Sequence, residues 1–132
     1  KEARLPVMFT TSSFDLGGAF NSATGTIATG YQSQINMFLG YNGMDTIEYD
    51  FEKYPIVGFK ADRMTRILSN GEYNTHRWYI NDDKGVPMVA VSYTENLQHA
   101  LYPEYGIIAW DFFKHYSRDQ KTGEIKYNPY AD

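Results

Sequence analysis

The sequence predicts an α/β fold, and three stretches carry the prediction. LPVMFTT, residues 5–11, is a continuous apolar run too short for a helix, which reads as a strand buried on both faces, as in a parallel sheet. From Thr29 to Leu39 the residues Tyr31, Ile35, Phe38 and Leu39 fall at i, i+4, i+7 and i+8, one face of a helix. Residues 86–94, VPMVAVSYT, form a second and nearly all-apolar strand, followed by helical spacing.

Taken in order, the first strand ends in TSSFDLGG, whose Ser12, Ser13, Asp15, Gly17 and Gly18 are turn formers, so Asp15 is expected in a loop just past a strand's carboxyl end. Gly40 is placed to terminate the amphipathic helix that follows. Residues 40–76 mix aromatics with Gly, Asn and Pro without a sustained period, which predicts a loop-rich segment with at most a short strand or helical turn. RWYIN, DDKG and VPMVAVSYT then read as a β-hairpin with a glycine closing its turn. Pro103 and Glu104 suit the first turn of a helix on which Tyr105, Ile108, Ala109, Phe112, Phe113 and Tyr116 recur at helical spacing. SRDQKTGEIKYNPYAD is a polar, turn-rich tail. No repeat or linker divides the chain, so residues 1–132 are expected to form a single domain or a domain fragment.

Composition narrows the functional classes. The 132 residues carry a net charge of −4 with Lys and Arg scattered, so the basic stripe of a nucleic-acid binder is missing. No run approaches the roughly 18 to 20 apolar residues of a membrane-spanning helix. The absence of cysteine excludes disulfides, thiolate metal sites and a cysteine nucleophile. With no initiator methionine before Lys1, the chain is expected to be a processed product or a piece of something longer. Aromatic residues make up 17%, with 12 tyrosines, enough to line a carbohydrate or aryl site or to serve a compact core.

Open α/β sheets place their sites at the carboxyl ends of strands, where Asp15 and His99 both stand in this reading. GVPMVAVSYTENLQHALYPEYGIIAWDFFKHYSRD resembles the carboxyl end of the poly(hydroxybutyrate) depolymerase and feruloyl-esterase-like group of α/β-hydrolases: strand, histidine, short apolar-Pro stretch, and Trp-x-Phe-Phe helix ending in Ser-Arg. LPVMFTTSSFD similarly resembles the preceding strand and acid. The resemblance implies the carboxyl-terminal portion of an α/β-hydrolase sheet, incomplete on its own. His99 would then be the general base and later the acid, and Asp15 the carboxylate that orients its ring. Asp82, Asp83 and Glu95 remain alternative acids. No G-x-S-x-G occurs in the chain, so the serine is expected upstream and the chain alone inactive.

The implied substrate is a small-molecule or polymer ester, cleaved without cofactor or metal through an acyl-enzyme. Tyr41, Tyr49, Phe51, Tyr54, Phe59 and Tyr73 are the candidate substrate-contacting aromatics. His76 and His115 are far apart in sequence and are read as structural rather than as metal ligands. The implied partners are the upstream segment and, because buried strands would otherwise keep open edges, further copies of the chain in a homo-oligomer. The resemblance also implies a secreted or cell-surface location. The competing class is a non-catalytic, aromatic-rich module for carbohydrate binding or protein interaction.

Overall fold

The computed structural model describes residues 4–14, 19–68, 74–98 and 105–131. Along them run β1 (Val7–Phe14), β2 (Phe20–Asn21), β3 (Thr26–Ile27), α1 (Thr29–Tyr41), β4 (Arg63–Leu68), β5 (Asn74–Asn81), β6 (Pro87–Gln98), α2 (Tyr105–Phe113), β7 (Tyr116–Arg118) and β8 (Ile125–Tyr127). Four of the strands form one sheet in the order β1-β6-β5-β4, and β2-β3 and β7-β8 are two-stranded ribbons.

This arrangement overturns the α/β expectation, and with it the predicted piece of an α/β-hydrolase sheet. Eight strands stand against two helices among the described residues, and the chain is mostly β. Only β1 and β6 pair in parallel; β6-β5 and β5-β4 are antiparallel. The physical cause is β4. Its six residues RMTRIL lie at the sheet edge, where Arg63, Met64 and Arg66 face solvent, so no apolar period marks the segment as a strand. Ladder bonds to β5 hold it, helped by the Thr65 hydroxyl against the Tyr79 hydroxyl at 3.2 Å and by the Arg63 guanidinium 4.3 Å above the Tyr79 ring.

The hairpin reading fits β5 and β6, which pair from Thr75↔Thr94 to Asn81↔Pro87. Their connection is made by Asp82, whose Oδ1 accepts the Lys84 and Val86 backbone N–H groups at 2.9 Å each, while Gly85 takes a positive φ of 79°. β6 is central, and alternation along it separates two cores. Val89, Val91 and Tyr93 meet Phe9, Phe20, Ile35 and Leu39, so α1 lies on that face; Ala90 joins Tyr79 and Phe112, so α2 lies on the other. Burying each such Val, Leu, Ile or Phe contributes about 1.5 to 3 kcal/mol.

The apolar face predicted for α1 is the one that packs: Ile35 and Leu39 are buried, with Tyr31 and Phe38 against them. The helix nevertheless continues through Gly40. Its terminator is Gly43 at φ 71°, with the Gly43 N–H bonded to Gly40 O at 3.0 Å and the Met44 N–H to Leu39 O at 2.8 Å, the paired bonds of a Schellman motif. Beyond it the chain is irregular but pinned. Asn36 of α1 reads both backbone groups of Ile47, at 2.7 and 3.1 Å, and the Tyr49 hydroxyl donates to Gln32 O at 3.1 Å. Ile56 sits at φ 73° with the Val57 N–H bonded to Pro55 O at 2.8 Å, the strained form of the γ-turn.

Candidate functional site

The parallel pair sets the geometry of the predicted catalytic end. β1 and β6 stay in register from Val7↔Val89 through Ser12↔Thr94, and after an irregularity pair again at Phe14↔Gln98. Neighbouring strands in a sheet lie about 4.8 Å apart. Asp15 and His99 are the next residues of the two strands in sequence, and both lie outside the described residues.

Of the predicted aromatic contacts, Tyr73 also lies outside the described residues. Tyr49, Phe51 and Phe59 come together, with Tyr49 stacked on Phe51 at 5.9 Å and edge-on to Phe59 at 6.5 Å, all against the α1-side core. Burial pushes the Tyr49 phenol well above its ordinary value, so it stays neutral and serves as a donor. Tyr54 neighbours the Lys53 ammonium, 5.6 Å from its ring centre. Tyr41, half exposed, borders a cleft of about 720 Å³ shared with Arg4, Asp45, Asp83 and Lys84. A second cleft of about 570 Å³ meets the same Arg4 and Lys84 and extends to Glu124 and Tyr127. Both clefts are lined by cations and carboxylates.

The alternative acids have different occupations. Asp82 is consumed by its own turn and by an ion pair with Arg4 at 3.0 Å, its side chain 3% exposed. Asp83 is exposed in the same turn. Glu95 holds the His76 ring, with Oε1 2.6 Å from Nε2. His76 faces Tyr93 across the ladder, and Trp78, two residues on along the same strand, shares its face. A carboxylate on one ring nitrogen fixes an imidazole's orientation, and His76 with Glu95 is an imidazole–carboxylate pair among the described residues. No three His, Asp or Glu side chains converge as a metal site among the described residues.

The most buried charge escaped the sequence reading. Arg77 is 0% exposed. Its Nε donates to the Ser92 hydroxyl on β6 at 3.1 Å, its Nη1 to Asp111 Oδ2 at 2.8 Å and its Nη2 to the Ile108 carbonyl at 2.7 Å, both on α2. The Tyr79 hydroxyl, at 3.3 Å, and the Phe112 ring, 5.7 Å from the guanidinium carbon, complete its surroundings. The signal was period 2: Thr75, Arg77 and Tyr79 share the inward face of β5, so a cation stands where a strand buries its side chains. No protein-family model matches this chain, and no curated protein is significantly similar to it.

Proposed function

We propose that this chain supplies the acid and the histidine of a serine-type carboxylic-ester hydrolase, with Asp15 orienting His99 and the serine contributed from outside these 132 residues. One observation carries the reading: β1 and β6 are parallel, adjacent and paired up to Phe14↔Gln98, which is the arrangement an acid after one strand and a histidine after the other require in order to meet. His99 would take the proton of a serine hydroxyl during acylation and return it to the leaving alcohol, and the acyl-enzyme would then be hydrolysed by water through the same imidazole. Asp15 would stabilise the imidazolium without itself being protonated. The ester is a small molecule or a polymer side chain, and the partners are the nucleophile-bearing segment and further copies of the chain.

The test is a polypeptide that joins this chain to the segment carrying the serine, assayed on a p-nitrophenyl ester. His99→Ala is expected to lower kcat by about 10⁶, and Asp15→Asn by about 10⁴. Turnover unchanged by His99→Ala overturns the proposal.

A second reading rests on a different observation. Trp110 and Phe113, three residues apart on α2, are 62% and 37% exposed, an aromatic pair open to a sugar or protein surface. Calorimetric titration of the chain with soluble polysaccharides separates the two: binding lost in Trp110→Ala favours the module, and no heat favours the hydrolase half-site.

A further inference from the structure

We infer that the two clefts meeting at Arg4, Asp82 and Lys84 form a binding groove for a neutral oligosaccharide, an inference that needs neither His99 nor the serine of the hydrolase reading. The groove lies at the end of the sheet where β1 begins and the β5-β6 turn closes, away from the Phe14↔Gln98 end. At about 720 and 570 Å³ each cleft has the size that takes a small ligand, and the shared residues let one extended ligand occupy both. Their junction is held in place. Asp82 Oδ1 accepts the Lys84 and Val86 backbone N–H groups, and its Oδ2 accepts Arg4 Nη1 at 3.0 Å. Arg4 Nη2 donates to the Asn42 carbonyl at 3.1 Å, and the buried Asn42 amide bonds the Leu5 N–H at 2.7 Å and the Leu5 carbonyl at 2.9 Å. Arg4 remains partly exposed and keeps N–H groups for a ligand, so the floor of the groove is set before anything binds.

The lining decides the chemistry of the ligand. Asp45, Asp83 and Lys84 are exposed, and no ion pair among the described residues engages their side chains. A polyanion would meet the carboxylates of Asp45, Asp82, Asp83 and Glu124 against the cations of Arg4 and Lys84 alone, and a cation would meet those two. A sugar hydroxyl both donates and accepts, so it uses either kind of group and brings no charge against the other. Tyr41, half exposed at the end of α1, supplies a ring face for the apolar C–H side of a pyranose. An extended peptide needs a strand edge or an apolar pocket to anchor it, whereas the exposed side chains of the first cleft, Tyr41 aside, are charged.

The experiment is calorimetric titration of the 132-residue chain with cellohexaose, xylohexaose and mannohexaose, and with the matching disaccharides. At least one hexasaccharide is expected to bind, about tenfold or more tighter than its disaccharide because it spans both clefts. Tyr41→Ala is expected to weaken that binding about three- to tenfold, and Tyr41→Phe, which keeps the ring, to hold it near the parental value. Trp110→Ala is expected to leave it unchanged, which separates this groove from the aromatic pair of α2. Circular dichroism checks that Tyr41→Ala is folded; if it is not, Lys84→Ala, in an exposed turn, reads the same loss. No heat with any of the three hexasaccharides overturns the inference, and so does binding that Tyr41→Ala and Lys84→Ala leave at full strength or that Trp110→Ala alone abolishes. Heat with a mixed-charge peptide and none with the sugars overturns it in favour of a peptide. The His99→Ala assay bears on the hydrolase reading alone, so the two stand or fall separately.

Discussion

The ring of Phe51 lies directly over the α-carbon of Gly58: a β-carbon built there would stand 2.7 Å from Phe51 Cε1 and 2.9 Å from Cζ. Gly58 also has a φ of 76°. The left-handed backbone costs a non-glycine residue about 1 to 2 kcal/mol, and displacing a packed ring adds about 1 to 3 kcal/mol. Gly58→Ala is therefore expected to destabilise the fold by about 2 to 5 kcal/mol in urea unfolding, while the Phe51→Leu, Gly58→Ala double variant recovers part of the loss. Equal losses in the single and double variants would rule out the ring as the cause.

Thr11 on β1 is 1% exposed, and its hydroxyl has no hydrogen-bond partner among the described residues. A buried unsatisfied hydroxyl costs about 1 to 3 kcal/mol, and valine has the same shape without it. Thr11→Val is expected to raise the urea midpoint with the m-value unchanged, a gain of about 1 kcal/mol. A lower midpoint would show that the hydroxyl is satisfied in solution.

Asp111 is 44% exposed, yet its partner Arg77 is wholly buried. Asp111→Ala leaves the cation with neutral acceptors only, and a loss of about 2 to 3 kcal/mol is expected by chemical denaturation. Removing Lys114 instead, 3.9 Å from the other carboxylate oxygen, is expected to change stability by less than about 0.5 kcal/mol.

Burial pushes the Tyr116 phenol far above its ordinary value, reinforced by the neighbouring Tyr127, and burial does the same to Tyr49. A raised folded-state value means that the contribution to stability is complete below the unfolded value, about pH 10, and is lost as pH rises beyond it, because the unfolded chain ionises first. The thermal midpoint is expected to fall between about pH 9 and pH 11. Tyr116→Phe, which gives up the hydroxyl's bond to the Pro87 carbonyl, is expected to be less stable at neutral pH but to fall less steeply above pH 10.

The two edges of the four-stranded sheet differ. β4 carries the exposed Arg63 and Arg66, which discourage edge pairing, whereas β1, VMFTTSSF, has no charge, and no second strand flanks it among the described residues. Light scattering of the 132-residue chain is expected to show association that Thr10→Lys reduces. A parental chain that stays monomeric at about 100 μM would contradict this.

Legibility in the sequence followed how much of an element's pattern is decided locally. The β5-β6 turn was readable because Asp82 and Gly85 do their work within five residues, and α1 because Ile35 and Leu39 share one helical stripe. β4 was not, since an edge strand's period is diluted by the side chains it shows to water. Neither Arg77 nor the His76–Glu95 pair was readable as a partnership, because their partners stand 15 to 34 residues away and are chosen by strand register and helix docking. The parallel neighbours of the candidate catalytic end were legible as two strands but not as adjacent ones. The fold class was misjudged because β4 and the short ribbon strands carry no apolar period, which left the strands undercounted against the two helices.

The seam between β1 and β6 also dictates an order of events when the chain folds. Met8 and Ser92, in contact across it, are 84 residues apart, whereas β5 and β6 are joined by a tight turn. A ribosome delivering about 5 to 20 residues per second would expose β1 for several seconds before its partner emerges. The hairpin of β5 and β6 can form at once, but closing the long loop to β1 must await the end of β6, so β1 stays unpaired on that side until then.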